Sequence, residues 1–575
     1  MASTRDDFGL TDLVPQERFG FEATCRRAGR QECHNRKHIL SFQGCTVSRS
    51  VNPSRLLNPL RTTTFRNLLI ADAVSDVGTF MQSVGAVWMM VSLNAGPFYI
   101  ALIQTASALP FFIFALPAGA LGDIVDRRKL ILLAEIWMCV TAIMLTGLTL
   151  AGRVSPLLLL VLTFALSAGD ALESPAWRAA LPELVPKEDV APAATLNGIE
   201  FNFARAVGPA LGGIVIAIAG VTTVFLINAI STLGVIAVIA RWKRHARKRT
   251  APLETLSGAT VAGLRYVRYS PALRDLLIRS GIVMFFASGF LALLPSIAHY
   301  ANPSPTAYGF LLGCFGAGAV LGALGMEKVR AHWSAEVVVS SGILIFGLSC
   351  VAAGTTRYLP ALAVGVLVAG GAWIVFVSLF NVVVLTHTPE WVRSRVLAVS
   401  MLVFQGAMAA GSATWGAIAA KAGIHAALVD AGLGTIASLA LALFLKLPET
   451  TIDLSPWVHW RVPVVLPQNA AISDAGPILV TIEYSVDPRQ QAEFLKAIVK
   501  FGRIRRRDGA YSWGVFRDLE TPDHFLETFL VDSWAEHLRQ HERVTLADRA
   551  IEERVHSLVQ KAPSVRHLVN TNQNL

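Results

Sequence analysis

The sequence predicts an all-α polytopic membrane protein, with twelve transmembrane helices in two pseudo-symmetric six-helix halves and a small cytoplasmic α+β ferredoxin-like domain after them. Three observations lead there. Hydrophobic residues make up 53% of the chain and charged ones only 16%, with a mean hydropathy of +0.51, whereas soluble domains carry about a quarter charged residues. A set of landmarks occurs twice at one constant offset: Gly119-Ala120-Leu121-Gly122 returns as Gly322-Ala323-Leu324-Gly325, and the same shift carries Pro186 onto Pro389, Gly208 onto Gly411 and Gly213 onto Gly416. Beyond Pro448 the apolar runs stop and strand-like alternation begins.

Residues 1–61 are polar, basic and aperiodic, without the compact apolar core of a signal peptide, and are expected to form a disordered cytoplasmic arm. A helix needs about 20 apolar residues to cross the hydrocarbon core. Runs at 68–93, 98–121, 130–151, 155–175, 192–218 and 221–241 meet that need and fill an N-terminal half, 62–241. Runs at 276–299, 306–326, 335–353, 358–383, 393–420 and 424–446 fill a C-terminal half, 276–447. Their length excludes barrel strands, which need about ten residues, and backbone groups in lipid leave helices as the remaining solution. Repeated halves of this kind, parallel and related by an axis along the membrane normal, are a transporter architecture.

The loops alternate in charge. Arg127-Arg128-Lys129, the Arg178 to Lys187 stretch, Arg241 to Arg249, Lys328 to Arg330, and Arg393 with Arg395 lie on one side, and the opposite loops are short and nearly neutral. Positive loops stay cytoplasmic, which places both termini inside. The net charge of +10 is thereby a matter of topology, and no nucleic-acid partner is implied. The central loop, 242–275, holds a basic run suited to anionic headgroups and a segment, Leu256 to Tyr269, with the spacing of an interfacial helix.

Residues 448–475 read as a linker and 476–570 as the ferredoxin-like domain. Strands are expected at Ile478 to Tyr484, Tyr511 to Phe516, Phe525 to Val531 and Val565 to Leu568, with helices at Pro488 to Phe501 and Ser533 to Ala550. The βαββαβ order and the length of about a hundred residues suit an independently folding unit.

Cys139, Cys314 and Cys350 fall in spans, where cysteine acts as a small apolar residue. Cys33, His34 and His38 in the arm lack the four ligands of a structural zinc site, so no metal is expected. No GxxxxGK[ST] loop is present, so ATP is not the implied fuel, and no cofactor is indicated.

The segment Gly119-Ala120-Leu121-Gly122-Asp123-Ile124-Val125-Asp126-Arg127-Arg128-Lys129, between spans two and three, resembles the cytoplasmic signature of the major facilitator superfamily. The resemblance implies a cytoplasmic gate built from Gly119, Asp123, Asp126, Arg127 and Arg128. Ile124 stands where the family has an arginine and Asp126 where it has a glycine, and Met326 replaces the acid in the second copy, which confines the charge latch to the first half. Ala204-Arg205-Ala206-Val207-Gly208-Pro209-Ala210-Leu211-Gly212-Gly213 in span five is similar to the superfamily's antiporter signature. It implies a bent, tightly packed seam at Arg205, Gly208, Pro209, Gly212 and Gly213, and export rather than uptake. Gly78-Thr79-Phe80-Met81-Gln82, Glu173-Ser174-Pro175-Ala176-Trp177-Arg178 and Leu181-Pro182-Glu183-Leu184-Val185-Pro186 resemble the secretion-effector branch over roughly 62–450.

Ionisable side chains within spans are functional candidates by default. Asp72 and Asp76 are four apart and share a helix face, the arrangement a proton-coupling site needs. Glu200 and Asp170 are further proton or substrate candidates, and Glu173 approaches the inner end of span four. Glu135 is expected at the interface or paired with the Arg127 cluster, and Arg205 in an ion pair or at substrate. In the tail, Arg503 to Asp508 and the Ser533 to Leu538 stretch resemble the same branch, and the domain more weakly resembles small monooxygenase domains that dimerise. His537 and His541 share a helix face there.

These features converge on a secondary active exporter of a medium-sized amphipathic compound, siderophore- or drug-like, in a bacterial inner membrane, with the proton as coupling ion, alternating access, and dimerisation through the tail open to it. A membrane-bound enzyme with a monooxygenase-like tail, and a non-transporting sensor or scaffold, remain as alternatives.

Overall fold

The computed structural model describes residues 56–124, 126–242, 256–448, 452–455, 457 and 476–570, with the backbone alone at 115–116, 119–124 and 256–260. The expected disordered arm lies outside the described residues up to position 55, as does most of the linker.

Six long helices come first: α1 Thr63–Ser92, α2 Gly96–Ile124, α3 Arg127–Leu150, α4 Pro156–Leu184, α5 Val190–Ala219 and α6 Val221–Arg241. A shorter helix, α7 Leu256–Tyr269, leads to a second set: α8 Pro271–Ala301, α9 Pro305–His332, α10 Ala335–Thr355, α11 Leu359–Thr386, α12 Arg393–Ala422 and α13 Ile424–Ala437, the last continuing as a 3-10 turn to Leu443. Local chemistry sets the starts. Ser155, Ser304 and Ser334 accept hydrogen bonds from the free amides of α4, α9 and α10, and Pro156 and Pro305 occupy first-turn positions where no amide is needed.

Among the described residues, eleven helices are long and apolar enough to cross a membrane, against the twelve expected. The exception is α1, which at 30 residues has the length. Asp72, Asp76, Gln82 and a run of small residues dilute its apolar character. It packs along α5 and α6 in the bundle.

The sequence repeat has a structural meaning. Pro186 and Pro389 each close a turn, accepting from Asp189 and Val392, immediately before the fifth helix of their half. Gly208 and Gly411 lie where the fifth helix crosses the first of the same half: a Cβ on Gly208 would stand 2.6 Å from Phe80 Cβ and 3.0 Å from Val77 O, and Gly411 meets Phe285 and Ser288. Gly213 and Gly416 do something else. They carry the fifth helix across to the second helix of the other half, Gly213 against Pro305 and Gly309, and Gly416 against Phe98 and Ala101. Each fifth helix then ends on a glycine in the left-handed region, Gly220 at φ +80° and Gly423 at φ +92°, a conformation open to glycine at little cost.

The halves therefore meet along two seams, α2 with α12 and α5 with α9. The close approaches run from the neutral-loop ends to mid-helix: Gly416 on Ala101, Thr105 Oγ1 donating to Ala409 O at 3.0 Å, Gly406 on Phe112, and Gly309 and Gly316 on the Pro209 and Ala206 turns. Trp88 meets His299 at the same end, ring centroids 5.9 Å apart.

The C-terminal domain comprises β1 Ile478–Ser485, α14 Gln491–Asp508, β2 Ser512–Arg517, β3 His524–Val531, α15 Trp534–Arg543, α16 Leu546–His556 and β4 Ser564–Val569. The sheet has order β2-β3-β1-β4 with every pair antiparallel. Ile478, Val480, Ile482 and Tyr484 alternate into a core with Phe494, Ile498 and Phe501 of α14 and Phe525 and Phe529 of β3. The single helix expected at 533–550 is two. Thr545 starts a new one: its hydroxyl and amide both bond Asp548 in a capping box, so the chain turns at Val544.

The segment Leu256–Tyr269 does not rest its inner face on lipid headgroups. Ala262, Tyr266 and Val267 are buried, between the start of α12 and the C-terminal domain.

Candidate functional site

The carboxylates of the first half converge. Asp72 and Asp76 on α1, Glu135 on α3, Asp170 and Glu173 on α4, and Glu200 on α5 form a chain of electrostatic neighbours, with the Asp76 and Glu200 carboxyls close enough to share a proton. A bond between two carboxyls needs one proton held between them. Glu135 is buried at 5% exposure, and its Oε2 has no hydrogen-bond partner, nor has Glu200 Oε1. Such orphaned acceptors are places where protons or polar ligand groups gain most.

Two sequence expectations change here. Glu135 does not pair with Arg127. Two helical turns separate them, so Glu135 faces the cluster, while Arg127 donates to Ala179 O at 2.7 Å and pairs with Glu183 at 2.8 Å. Arg205 has no carboxylate bridge among the described pairs; its guanidinium lies 5.5 Å over the Phe201 ring, and Phe201 packs edge-on against Phe80 of α1.

The gate candidates fall into two groups. Asp126 caps α3, accepting from Lys129 N. Arg127 holds the C-terminal end of α4, and Arg128 that of α6 through Ile239 O and Ala240 O at 3.0 and 2.6 Å. Cations at helix C-termini are favourable. All these bonds stay within the first half. The Asp123 side chain and the surroundings of Gly119 lie outside what the structure describes.

The seam candidates are placed by the close approaches above: Gly208 and Gly212 on α1, Pro209 and Gly213 on α9. The carboxylates and the seam thus share one helix, α5.

Sequence reasoning missed three features. Arg279 on α8 is fully buried, pairing with Glu336 at 2.7 Å and donating to Ser340 Oγ, while Glu336 accepts from Leu447 N. It lay inside a predicted span and the rule for intramembrane charges applies to it. On α6, Asn228 donates to Gln82 at 2.6 Å and accepts from Thr79. In the tail, Glu527 is fully buried and accepts from Tyr484 at 2.8 Å and Trp513 at 2.7 Å.

His537 and His541 do come together, Nε2 to Nε2 at 3.2 Å, with the His567 ring 4.8 Å from that of His537. Burial, then the neighbouring His541 and His567, push His537 down to about 3. Among the described residues no group of three His, Cys, Asp or Glu could hold a metal ion.

Residues 54–575 match the sequence model of a family described as transmembrane secretion effector, a match that runs through the C-terminal domain. The chain is 25% identical over 403 residues to the multidrug efflux pump Tap of Mycolicibacterium fortuitum, covering 68% of this chain and 97% of that protein. It is 26% identical over 347 residues to the enterobactin exporter EntS of Shigella boydii, covering 58% and 79%. The fold resembles the crystal structure of a bacterial homolog of the human lysosomal transporter Spinster in an inward-facing, unoccupied conformation, with a TM-score of 0.52, 16% identity, and coverage of 68% and 96%.

Proposed function

The chain belongs to the transmembrane secretion effector family of major facilitator transporters, and from that footing we propose that it exports a medium-sized amphipathic compound, siderophore- or drug-like, by proton antiport. It is a transporter and not an enzyme. The relatives named as a multidrug efflux pump and an enterobactin exporter support the direction and the cargo class.

The observation that carries the mechanism is the apposed Asp76 and Glu200 carboxyls on α1 and α5, placed to share one proton. With the proton, the two helices are held together. Without it, two carboxylates repel across the contact where Gly208 and Gly212 press α5 onto α1. The same α5 carries Pro209 and Gly213 to α9 of the other half, so a change at the acid pair reaches the half–half seam. Asp72 and Asp170 relay protons to and from the pair, and Arg205 holds an anionic or aromatic group of the cargo.

The two seams support alternating access. With α1 counted as the twelfth span and the basic loops cytoplasmic, the neutral ends are closed and the molecule faces inward. The Gly119–Asp123 segment latches the opposite state. Both termini and the C-terminal domain are cytoplasmic. The sheet face opposite the helices, with Phe516 and Leu568 exposed, supports pairing of two copies.

The test compares cells and medium by mass spectrometry for a deletion strain, its complemented partner and an Asp76→Asn variant, in iron-poor and iron-rich media. The expected result is a compound retained inside the deletion strain and the variant and returned to the medium by complementation. Equal distributions in all strains would overturn export.

A further inference from the structure

The C-terminal domain grips the helix that joins the two halves. Arg265 of α7 donates to Gly509 O at 3.3 Å and pairs with Glu536 at 3.5 Å, both side chains only 14% exposed. Tyr266, at 2% exposure, lies under the Arg507 guanidinium at 5.2 Å and edge-on to Trp391 at 5.7 Å. Arg543, bound to Glu536, covers the other ring contact of Trp391 at 4.5 Å. The domain therefore holds α7 and the turn entering α12 at once.

The far side of α7 has its own contacts. A Cβ on Gly263 would stand 2.8 Å from Arg395 Cβ, in the first turn of α12, and α7 also touches α2 of the opposite half. α2 and α12 are the helices of one seam. At the neutral-loop end they meet directly, through Ala101 and Gly416. At the basic-loop end of α12, α7 packs on its first turn, and the same short helix contacts α2.

We propose that the docked C-terminal domain is a conformational brake: by pinning α7 against the start of α12, it keeps α7 wedged at α2 and holds the two halves apart at the basic-loop end. The inference rests on the alternating-access reading above and assigns its regulation. The grip combines a partly buried ion pair, a backbone hydrogen bond and two stacked guanidinium contacts, interactions of a strength that a competing ligand or a charge change can release.

The experiment uses the full-length chain in lipid nanodiscs with its cysteines replaced. One pair of spin labels, at Lys187 and Lys328, reports the distance between halves at the basic-loop end. A second pair, at Val261 of α7 and Arg503 of α14, reports docking. Arg265→Glu sets a carboxylate against Glu536, and Arg265→Glu with Tyr266→Ala removes both grips; neither touches the domain's core. Undocking should at least double the population at short Lys187–Lys328 distance and raise the initial transport rate. Undocking with an unmoved Lys187–Lys328 distribution would overturn the brake, and so would a domain that stays docked in both variants. A wild-type distribution that is single and unresponsive to pH would instead overturn the alternating-access reading, and the brake with it.

Discussion

Gly309 offers the sharpest test of the seam. A Cβ there would stand 2.8 Å from Pro209 O and 3.0 Å from Gly213 Cα, both backbone atoms of the facing helix. Ordinary carbon contacts lie near 3.5–4.0 Å, so α5 and α9 would have to separate by several tenths of an ångström. Overpacking of this kind costs about 1–3 kcal/mol. Gly313 lies four residues further along the same face, yet its Cβ would be 3.6 Å from Ala210 Cβ, an ordinary contact. Both changes to alanine gain the same helix propensity, about 1 kcal/mol, and the difference between them isolates the clash. Gly309→Ala should therefore be less stable than Gly313→Ala by about 1–3 kcal/mol, read as a melting temperature lower by several degrees in detergent, and should lose more transport. Equal melting of the two variants would refute the close approach of α5 and α9.

Arg279→Ala strands Glu336, whose side chain is 21% exposed and keeps only Ser340 and Leu447 N. A cost near 3 kcal/mol is expected, the lower end for a broken buried pair because water reaches Glu336, and thermal unfolding against Arg279→Lys measures it. His537 has its pKa lowered from 6.5 to about 3 in the folded tail. The unfolded chain binds a proton below pH 6.5 that the folded domain refuses, so stability is full above pH 6.5 and falls toward pH 3, by at most about 1.4 kcal/mol per pH unit. Protection factors of the β1 and β3 amides in the full-length protein, corrected for the intrinsic pH dependence of exchange, should fall over that window, and His537→Gln should flatten the dependence. Asp548, pushed up by burial but brought below the usual range by Arg507 and its bonds to Thr545, acts in the same sense lower on the pH scale, stabilising above the ordinary carboxylate range and losing that contribution in acid. Asp548→Asn should thus remove a separate loss of stability seen only near pH 4 and below.

Much of the membrane architecture was legible because its signals are local or repeated. Long apolar runs need no partner to be recognised, and a constant offset among glycines and prolines survives wherever the same helix crossing is built twice. Gly220 and Gly423 stand at that offset too and went unread, since a lone glycine between spans gives no hint that its φ is positive. α1 shows the reverse case: the residues that make it a candidate site, Asp72 and Asp76, also dilute its apolar character. Glu135 was expected at the interface or with the Arg127 cluster from its place near the start of α3, but it is buried among the other acids while Arg127 turns to Glu183. The docking of the C-terminal domain was not legible at all. Arg265 and Glu536 are far apart in sequence, and each alone reads as a solvated surface charge.

The repeat also shows what was not duplicated. At the offset that superposes the fourth and fifth helices, Asp170 corresponds to Trp373, Glu173 to Phe376 and Glu200 to Val403. Where the first half gathers acids, the second stacks Phe346, Trp373, Phe376 and Phe404, ring centroids 5.5 to 6.2 Å apart. Aromatic clusters pack one way and hold it, whereas a carboxylate cluster changes its forces with each proton. The glycine crossings are common to both halves because they are geometry, and the acids belong to one because they are chemistry. In the proposed cycle a proton acts on the first half and the C-terminal domain on the second. The two inputs meet where the halves touch, along α2–α12 and α5–α9, and that is why substitutions at the seam should alter both proton coupling and the response to undocking.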